Sequence, residues 1–397
     1  MRLAHISDLH LGYKSGNKRD VDTGINLREQ DGYNALEEII TQIIDNKVNA
    51  VVCTGDFFHI PTPSIYTIVE GQKQLRRLAN AGIKFYNLAG NHDASDSIVD
   101  VPANRALHCP EIGIYSYIEP YVVEDIGEDI CLHLISHHNY SKQSETMEKI
   151  EPIKGKINIL CTHGSVFNPL TQLVLHSELS PREIVIPEEV IHKGWDYILL
   201  GHIHERGWVG SSDDETDTME TKTFYGGSIL RRGFSDKECK LGRGWTLWDI
   251  KSKEDIQPTF FNIHQRPQYD YSIECSEKSV VEIEEEIVRI FKSINLEETP
   301  IVRISLLELS MQNKSLINWD RFAEYKSKCL SFTTKIKSKE EIRKEIEEID
   351  LSFDLNSAYK EFYKETKDRY KELDQDKVEE IAIKLLNEGQ EKVLSKI

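Results

Sequence analysis

Five apolar runs in this chain each end in a short patch of metal-ligand residue types. Arg2–Ser7 leads into Asp8-Leu9-His10, and Ala50–Thr54 into Gly55-Asp56. Ile83–Ala89 leads into Gly90-Asn91-His92-Asp93, Ile157–Cys161 into Thr162-His163-Gly164, and Trp195–Leu200 into Gly201-His202-Ile203-His204. Runs of this length and composition read as buried β-strands. Carboxylates, amides and imidazoles at strand ends sit where an α/β sheet presents its active-site loops. One Asp-X-His or Gly-Asp means little, but five such patches in order constrain the fold strongly.

The residue types have a common physical reason in a pair of divalent cations. Two ions about 3.5–4 Å apart call for a carboxylate shared between them. Imidazole nitrogens with carboxylate or amide oxygens, and no thiolate, suit Mn²⁺, Fe²⁺ or Zn²⁺ more than a closed structural zinc site. Such a pair can hold a hydroxide and neutralise charge that builds on a phosphoryl group.

The ordered set DxH, GD, GNHD, H, GHxH resembles the calcineurin-like metallophosphoesterases. Three further segments narrow the resemblance to the SbcD-type nuclease of double-strand-break repair. They are His10–Tyr13 with Leu27-Arg28-Glu29-Gln30-Asp31 behind it, Gly55–His59, and Tyr225–Ser228 before Arg231–Asp236. The resemblance covers about residues 1–265. It implies a four-layer α-β-β-α sandwich in the α/β class, with a small α+β capping domain and C-terminal helices. It implies one ion on Asp8, His10, Asp56 and His204, and a second on Asp56, Asn91, His163 and His202, with Asp56 as the bridge. His92 would face the scissile phosphate, His59 would be a second substrate-facing histidine, and Asp93 would orient His92. The implied activity is Mn²⁺-dependent hydrolysis of DNA phosphodiesters by a bridging hydroxide. The implied partners are DNA, an SMC-like coiled-coil ATPase of SbcC type, and a second copy in a homodimer, with helix 65–81 as one candidate dimer face.

Two other readings share these residues. The same core serves a nucleotide or protein phosphoesterase, and fold does not fix substrate. A non-catalytic DNA-end scaffold is a third, although the complete ligand set and His92 speak against it. The added length beyond the sandwich favours the nuclease.

The 397 residues have room for two or three domains, read as 1–266, 267–337 and 338–397. Alternating strands and amphipathic helices at 29–46 and 65–81 are followed by short strands at Ile112–Tyr117, Tyr121–Val123 and Ile130–Ser136. Strands follow again at Thr223–Tyr225, Gly244–Ile250 and Thr259–Ile263. Past Pro267, the pattern predicts strands Tyr271–Glu274, Pro300–Leu307 and Leu330–Ile336 with helices Val280–Ser293 and Trp319–Lys328. From Ser338 the chain reads as charged helices whose apolar stripes either pack on the body or dock the ATPase. No stretch approaches a membrane span or a signal peptide, and scattered cysteines without a C-x-x-C pair indicate the cytoplasm. No phosphate-cradling Gly-rich motif is present, so an ATPase must be another chain. The net charge of −18 is unfavourable for DNA binding by this chain alone. Outside the ligand set, His5, His137 and His138 read as structural. Arg231 and Arg232 either meet phosphate or form structural ion pairs, and Tyr13 either contacts DNA or packs.

Overall fold

The computed structural model describes residues 1–94, 101–127, 129–137, 140–166, 185–209, 222–234, 241–253 and 255–337. The strands are β1 (Arg2–Ile6), β2 (Ala50–Cys53), β3 (Lys84–Leu88), β4 (Ile114–Tyr117), β5 (Val122–Asp125), β6 (Ile130–Ile135) and β7 (Ile157–His163). They continue with β8 (Ser165–Val166), β9 (Val185–Ile186), β10 (Tyr197–Gly201), β11 (Gly207–Trp208), β12 (Thr223–Tyr225), β13 (Gly244–Ile250) and β14 (Ile256–Asn262). Two six-stranded sheets run β14-β13-β1-β2-β3-β4 and β11-β12-β10-β7-β6-β5. Strands β1 to β4 are parallel, as are β6, β7, β10 and β12, while β13 joins β1 antiparallel and β5 joins β6 antiparallel.

Side-chain alternation divides each central strand between two apolar layers. Leu3, Val52, Tyr86, Ile159, Leu199 and Trp248 meet between the sheets. Ala4, Val51, Cys53 and Phe85 face the other way, onto Leu36, Ile39, Ile40 and Ile43 of helix α1 (Leu27–Asp45) and Leu75 and Leu78 of helix α2 (Ile65–Asn80). On the outer face of the second sheet, Leu160, Ile198 and Leu200 pack on Met147 of helix α3 (Tyr140–Lys149) and on Val190 and Ile191 of helix α4 (Glu188–Ile191). Burial on both faces is why these strands read as unbroken apolar runs. The result is the expected α/β layering, helices, two sheets, helices.

Helix α1 begins where Asn26 Oδ1 accepts the amides of Arg28 and Glu29, and α2 where Ser64 Oγ accepts that of Thr67. The strand expected from Ile112 begins only at Ile114, because Pro110–Ile112 form a 3₁₀ turn. Trp319–Phe322 is likewise a 3₁₀ turn, and only Ala323–Lys328 is α-helical. Asn318 Oδ1 takes the Asp320 amide there, and Phe322 is buried.

The chain clusters into two compact units. Among the described residues, the first holds 1–270, 294–303 and 323–332, and the second holds 271–293, 304–322 and 333–337. In the second unit, helix Val280–Ser293 buries Ile283, Ile287 and Phe291. Its Glu284 accepts from Arg321 at 2.8 Å and from the Asn318 amide at 2.8 Å. The readings placed on His138 and on the helices of 338–397 lie outside the described residues. The six cysteines within them are free thiols, and no described helix is long and apolar enough to cross a membrane.

Candidate metal centre at the strand ends

The loops leaving β1 and β2 stay paired beyond the strands. Asp8 N donates to Gly55 O (3.1 Å), His10 N to Asp56 O (2.9 Å), and Leu11 N to Phe57 O (3.0 Å). This lays the DLH patch beside the GD patch. Asp8, His10, Asp56 and His202 all have positive φ, at 51°, 44°, 53° and 95°. They are four of the eight non-glycine residues with positive φ in the described chain. Left-handed backbone at a residue with a Cβ is costly and collects where function holds it. Two glycines permit the close approach. At Gly55 (φ 94°) a Cβ would meet His163 Nδ1 at 2.5 Å and Gly90 Cα at 2.9 Å, and at Gly90 it would collide with the Asp56 carboxylate.

One oxygen sits at the middle of the arrangement. Asp56 Oδ2 is 3.5 Å from His10 Nε2 and 3.3 Å from His163 Nε2. On one side, His10 Nε2 lies 3.1 Å from His204 Nε2 and 3.9 Å from Asp8 Oδ1, and His204 Nε2 lies 3.8 Å from Asp8 Oδ1. On the other, Asn91 Oδ1 is 2.9 Å from His163 Nε2 and 3.4 Å from His202 Nδ1. Neighbouring donors on an ion with bonds of about 2.1 Å lie about 3 Å apart, so these separations suit two cations. Asp8, His10 and His204 form one compact donor group, and Asp8, Asp56 and His163 another.

Electrostatics agree with the geometry. Asp8 and Asp56 are buried, and the ion pairs they make among the described residues are with histidines. Buried carboxylates are tolerated when paired or bound to metal. Burial raises Asp8. Burial alone would also raise Asp56, but the charge and hydrogen bond of His163 hold it well below the usual carboxylate range. Burial pushes His163 down, yet Asp56 outweighs it and lifts the imidazole to about 9. The pocket therefore attracts positive charge where Asp56 meets His163. Burial, followed by the Arg232 charge, lowers His204 to about 3, leaving a neutral ligand-type nitrogen. His163 Nδ1 bonds to the Thr54 carbonyl (2.8 Å), so Nε2 points to the pocket.

The substrate side holds His92, His59, Tyr13 and Arg232. His92 Nδ1 donates to the His59 carbonyl (2.9 Å), and the His92 amide donates to Asp56 Oδ1 (2.8 Å). The two imidazoles stack at 5.3 Å, and Tyr13 meets His59 edge-on at 5.0 Å. The Arg232 guanidinium lies 4.8 Å from the Tyr13 ring centre and 3.4 Å from His204 Nε2.

Asp93 corrects an expectation. Its carboxylate does not orient the His92 ring, which is held by the His59 carbonyl. Asp93 Oδ2 accepts the amides of Phe57 (3.0 Å) and Gly90 (3.0 Å), and Oδ1 accepts that of Phe58 (2.9 Å). Burial, then the nearby Asp56, pushes its pKa up to about 7. Asp93 thus ties the loop carrying Asp56 to the loop carrying Asn91 and His92.

His5 is a core residue on β1, bonded to Thr54 Oγ1 at 2.9 Å, and His137 is buried with its amide on the Ala89 carbonyl. Sequence reasoning missed Arg243. It is buried and donates to the His204 carbonyl, and nothing in its position 39 residues beyond His204 signals that contact.

The calcineurin-like phosphoesterase family profile matches residues 1–206. The chain is similar to the DNA double-strand break repair protein Mre11 of Sulfurisphaera tokodaii, 28% identical over 339 residues, covering 82% of this chain and 79% of the relative. It is similar to the protein of the same name from Saccharolobus solfataricus, 26% identical over 324 residues, covering 80% and 77%. Methanocaldococcus jannaschii has another, 26% identical over 268 residues and covering 64% of each chain. The family profile takes in all five strand-end patches, and this chain belongs to the calcineurin-like phosphoesterase family.

Proposed function

We propose that this protein is the nuclease subunit of a DNA-end-processing complex and hydrolyses DNA phosphodiesters with two divalent ions, Mn²⁺ by preference. The observation that carries the reading is Asp56 Oδ2, within 3.5 Å of one histidine from each donor group. Asp8, His10, Asp56 and His204 would hold one ion, and Asp56, Asn91, His163 and His202 the other. When bound, the ions supply Lewis acidity toward the phosphoryl group and toward water.

The chain's own residues do the rest. With Nδ1–H donated to the His59 carbonyl, the imidazolium form of His92 offers Nε2–H to the leaving oxygen and delivers that proton there. Burial, then the Arg232 charge, lowers His59 to about 4, so it is neutral near pH 7. It is a packing and hydrogen-bonding partner for the substrate rather than the acid. Asp93 positions both loops through main-chain amides.

The similarity to Mre11 proteins supports DNA as the substrate. In this reading residues 1–266 carry the chemistry, 267–337 cap the DNA, and 338–397 dock an SMC-like coiled-coil ATPase of SbcC type. A homodimer working in the cytoplasm completes it, and buried free thiols suit that reducing compartment. The test is incubation of the full chain with linear and hairpin DNA and Mn²⁺, with and without the ATPase. Metal-dependent strand cleavage is expected. Hydrolysis of nucleotides or phosphopeptides with DNA left intact would favour the small-substrate phosphoesterase instead.

A further inference from the structure

We propose that Arg232 is the residue that grips the substrate phosphate, and that Arg28 on the first turn of α1 positions it. The inference rests on the phosphodiesterase reading and adds a substrate contact to it. Arg232, Tyr13, His59 and His92 form one wall. The guanidinium lies 4.8 Å from the Tyr13 ring, Tyr13 lies 5.0 Å from His59, and His59 lies 5.3 Å from His92. The same guanidinium comes within 3.4 Å of His204 Nε2, at the edge of the first donor group.

A fixed cation beside a site for two cations opposes filling that site. The opposition reverses once an anion enters, because the phosphate then lies among three positive centres. A guanidinium suits that role, since its planar fork matches two phosphate oxygens at once. The ligand chemistry it implies is the anionic phosphate of a diester.

The position of Arg232 is set from behind. Arg28 is almost fully buried. Its Nη1 pairs with Asp31 Oδ2 at 2.9 Å, and its Nη2 donates to the Arg231 carbonyl, the peptide group that leads into Arg232. Asp31 is gripped in turn by Arg266, Nε to Oδ2 at 2.8 Å and Nη2 to Oδ1 at 2.6 Å. Asn26 caps the helix on the Arg28 amide. The Leu27–Asp31 segment and the Arg231–Phe234 segment, far apart in sequence, thereby form one device.

The test uses the full chain loaded with Mn²⁺, with inorganic phosphate as the binding probe and bis(p-nitrophenyl) phosphate as the reactive one. Calorimetry reads phosphate affinity and elemental analysis reads metal content. Arg232→Gln is expected to keep the metal and bind phosphate about 10–100-fold more weakly. Arg232→Lys should recover part of the loss, because it restores charge without the fork. Arg28→Lys keeps a charge but cannot reach Asp31 and the Arg231 carbonyl together. It should weaken phosphate binding in the same direction with metal retained. Unchanged phosphate affinity in Arg232→Gln overturns the proposal, as does loss of its metal or a wild-type protein that binds no phosphate. A fall in thermal midpoint alone for Arg28→Lys, with phosphate affinity intact, overturns the positioning role. Phosphate binding that depends on Arg232 in a protein that cleaves no diester refutes the nuclease and leaves this inference standing. Cleavage indifferent to Arg232→Gln does the reverse.

Discussion

His92 takes its orientation from a main-chain carbonyl, and this separates it from the metal ligands. Its Nδ1 is committed to His59 O, and its amide to Asp56 Oδ1. His92→Ala is therefore expected to retain both ions and DNA binding while cleavage falls about 10²–10⁴-fold, the usual range for losing a general acid. Cleavage of DNA in the variant at the wild-type rate would exclude that role, and missing metal would make His92 a ligand. His5 gives a test of burial. Burial lowers its pKa to about 3 in the fold, against 6.5 for the free side chain. The unfolded chain then binds a proton that the folded chain refuses, so stability is full above pH 6.5 and declines as the pH falls toward 3. Between pH 6.5 and 5.5 the wild type should lose about 1 kcal/mol more than His5→Gln in denaturant titrations. Equal losses would place a charge-accepting environment around His5. The ligand types were legible in sequence because each stands at the end of a strand or just beyond it. Asp93 was not, because the amides that claim it come from Phe57, Phe58 and Gly90 in two separate loops.

At the scale of elements, the site is a set of strand ends held at short range by turns. β1, β2 and β3 stand side by side in one sheet, and β7 and β10 in the other, so the patches converge once the sheets pack. Gly90→Ala tests how tightly. The added methyl group would contact the Asp56 amide at 2.5 Å and Cγ at 2.8 Å, so Asp56 must move. The variant is expected to fold, because the three apolar layers are untouched, and to bind metal at least tenfold more weakly, the equivalent of about 1.4 kcal/mol. Metal titration with circular dichroism as the folding control checks this, and unaltered affinity would show that the loops yield more than the packing implies. Central strands were legible because they are buried on both faces. Short 3₁₀ turns such as Pro110–Ile112 and Trp319–Phe322 were not, because local hydrogen bonding and one buried ring decide them without leaving a period in the sequence.

For the whole molecule, the net charge of −18 and the attraction of the pocket for cations act at different ranges. Distant acid groups are screened beyond about 10 Å at 0.1 M salt, whereas buried carboxylates in the pocket are not. DNA binding by the chain alone should therefore be weak and depend strongly on its ions. Deleting 338–397 is expected to leave the metal site intact, since every proposed ligand precedes residue 205. It should abolish co-purification with the ATPase. Replacing Phe362, Tyr363, Leu385 and Leu386, apolar positions of the stripes expected from the sequence there, by Asp should do the same, and a truncated chain that still binds the proposed ATPase partner would move the docking site elsewhere. The most direct test of the account is the metal stoichiometry of Asp56→Ala. One carboxylate oxygen lies between both histidine groups, so the wild type should bind two Mn²⁺ per chain and the variant neither with comparable affinity. Two ions retained by Asp56→Ala would contradict the shared site.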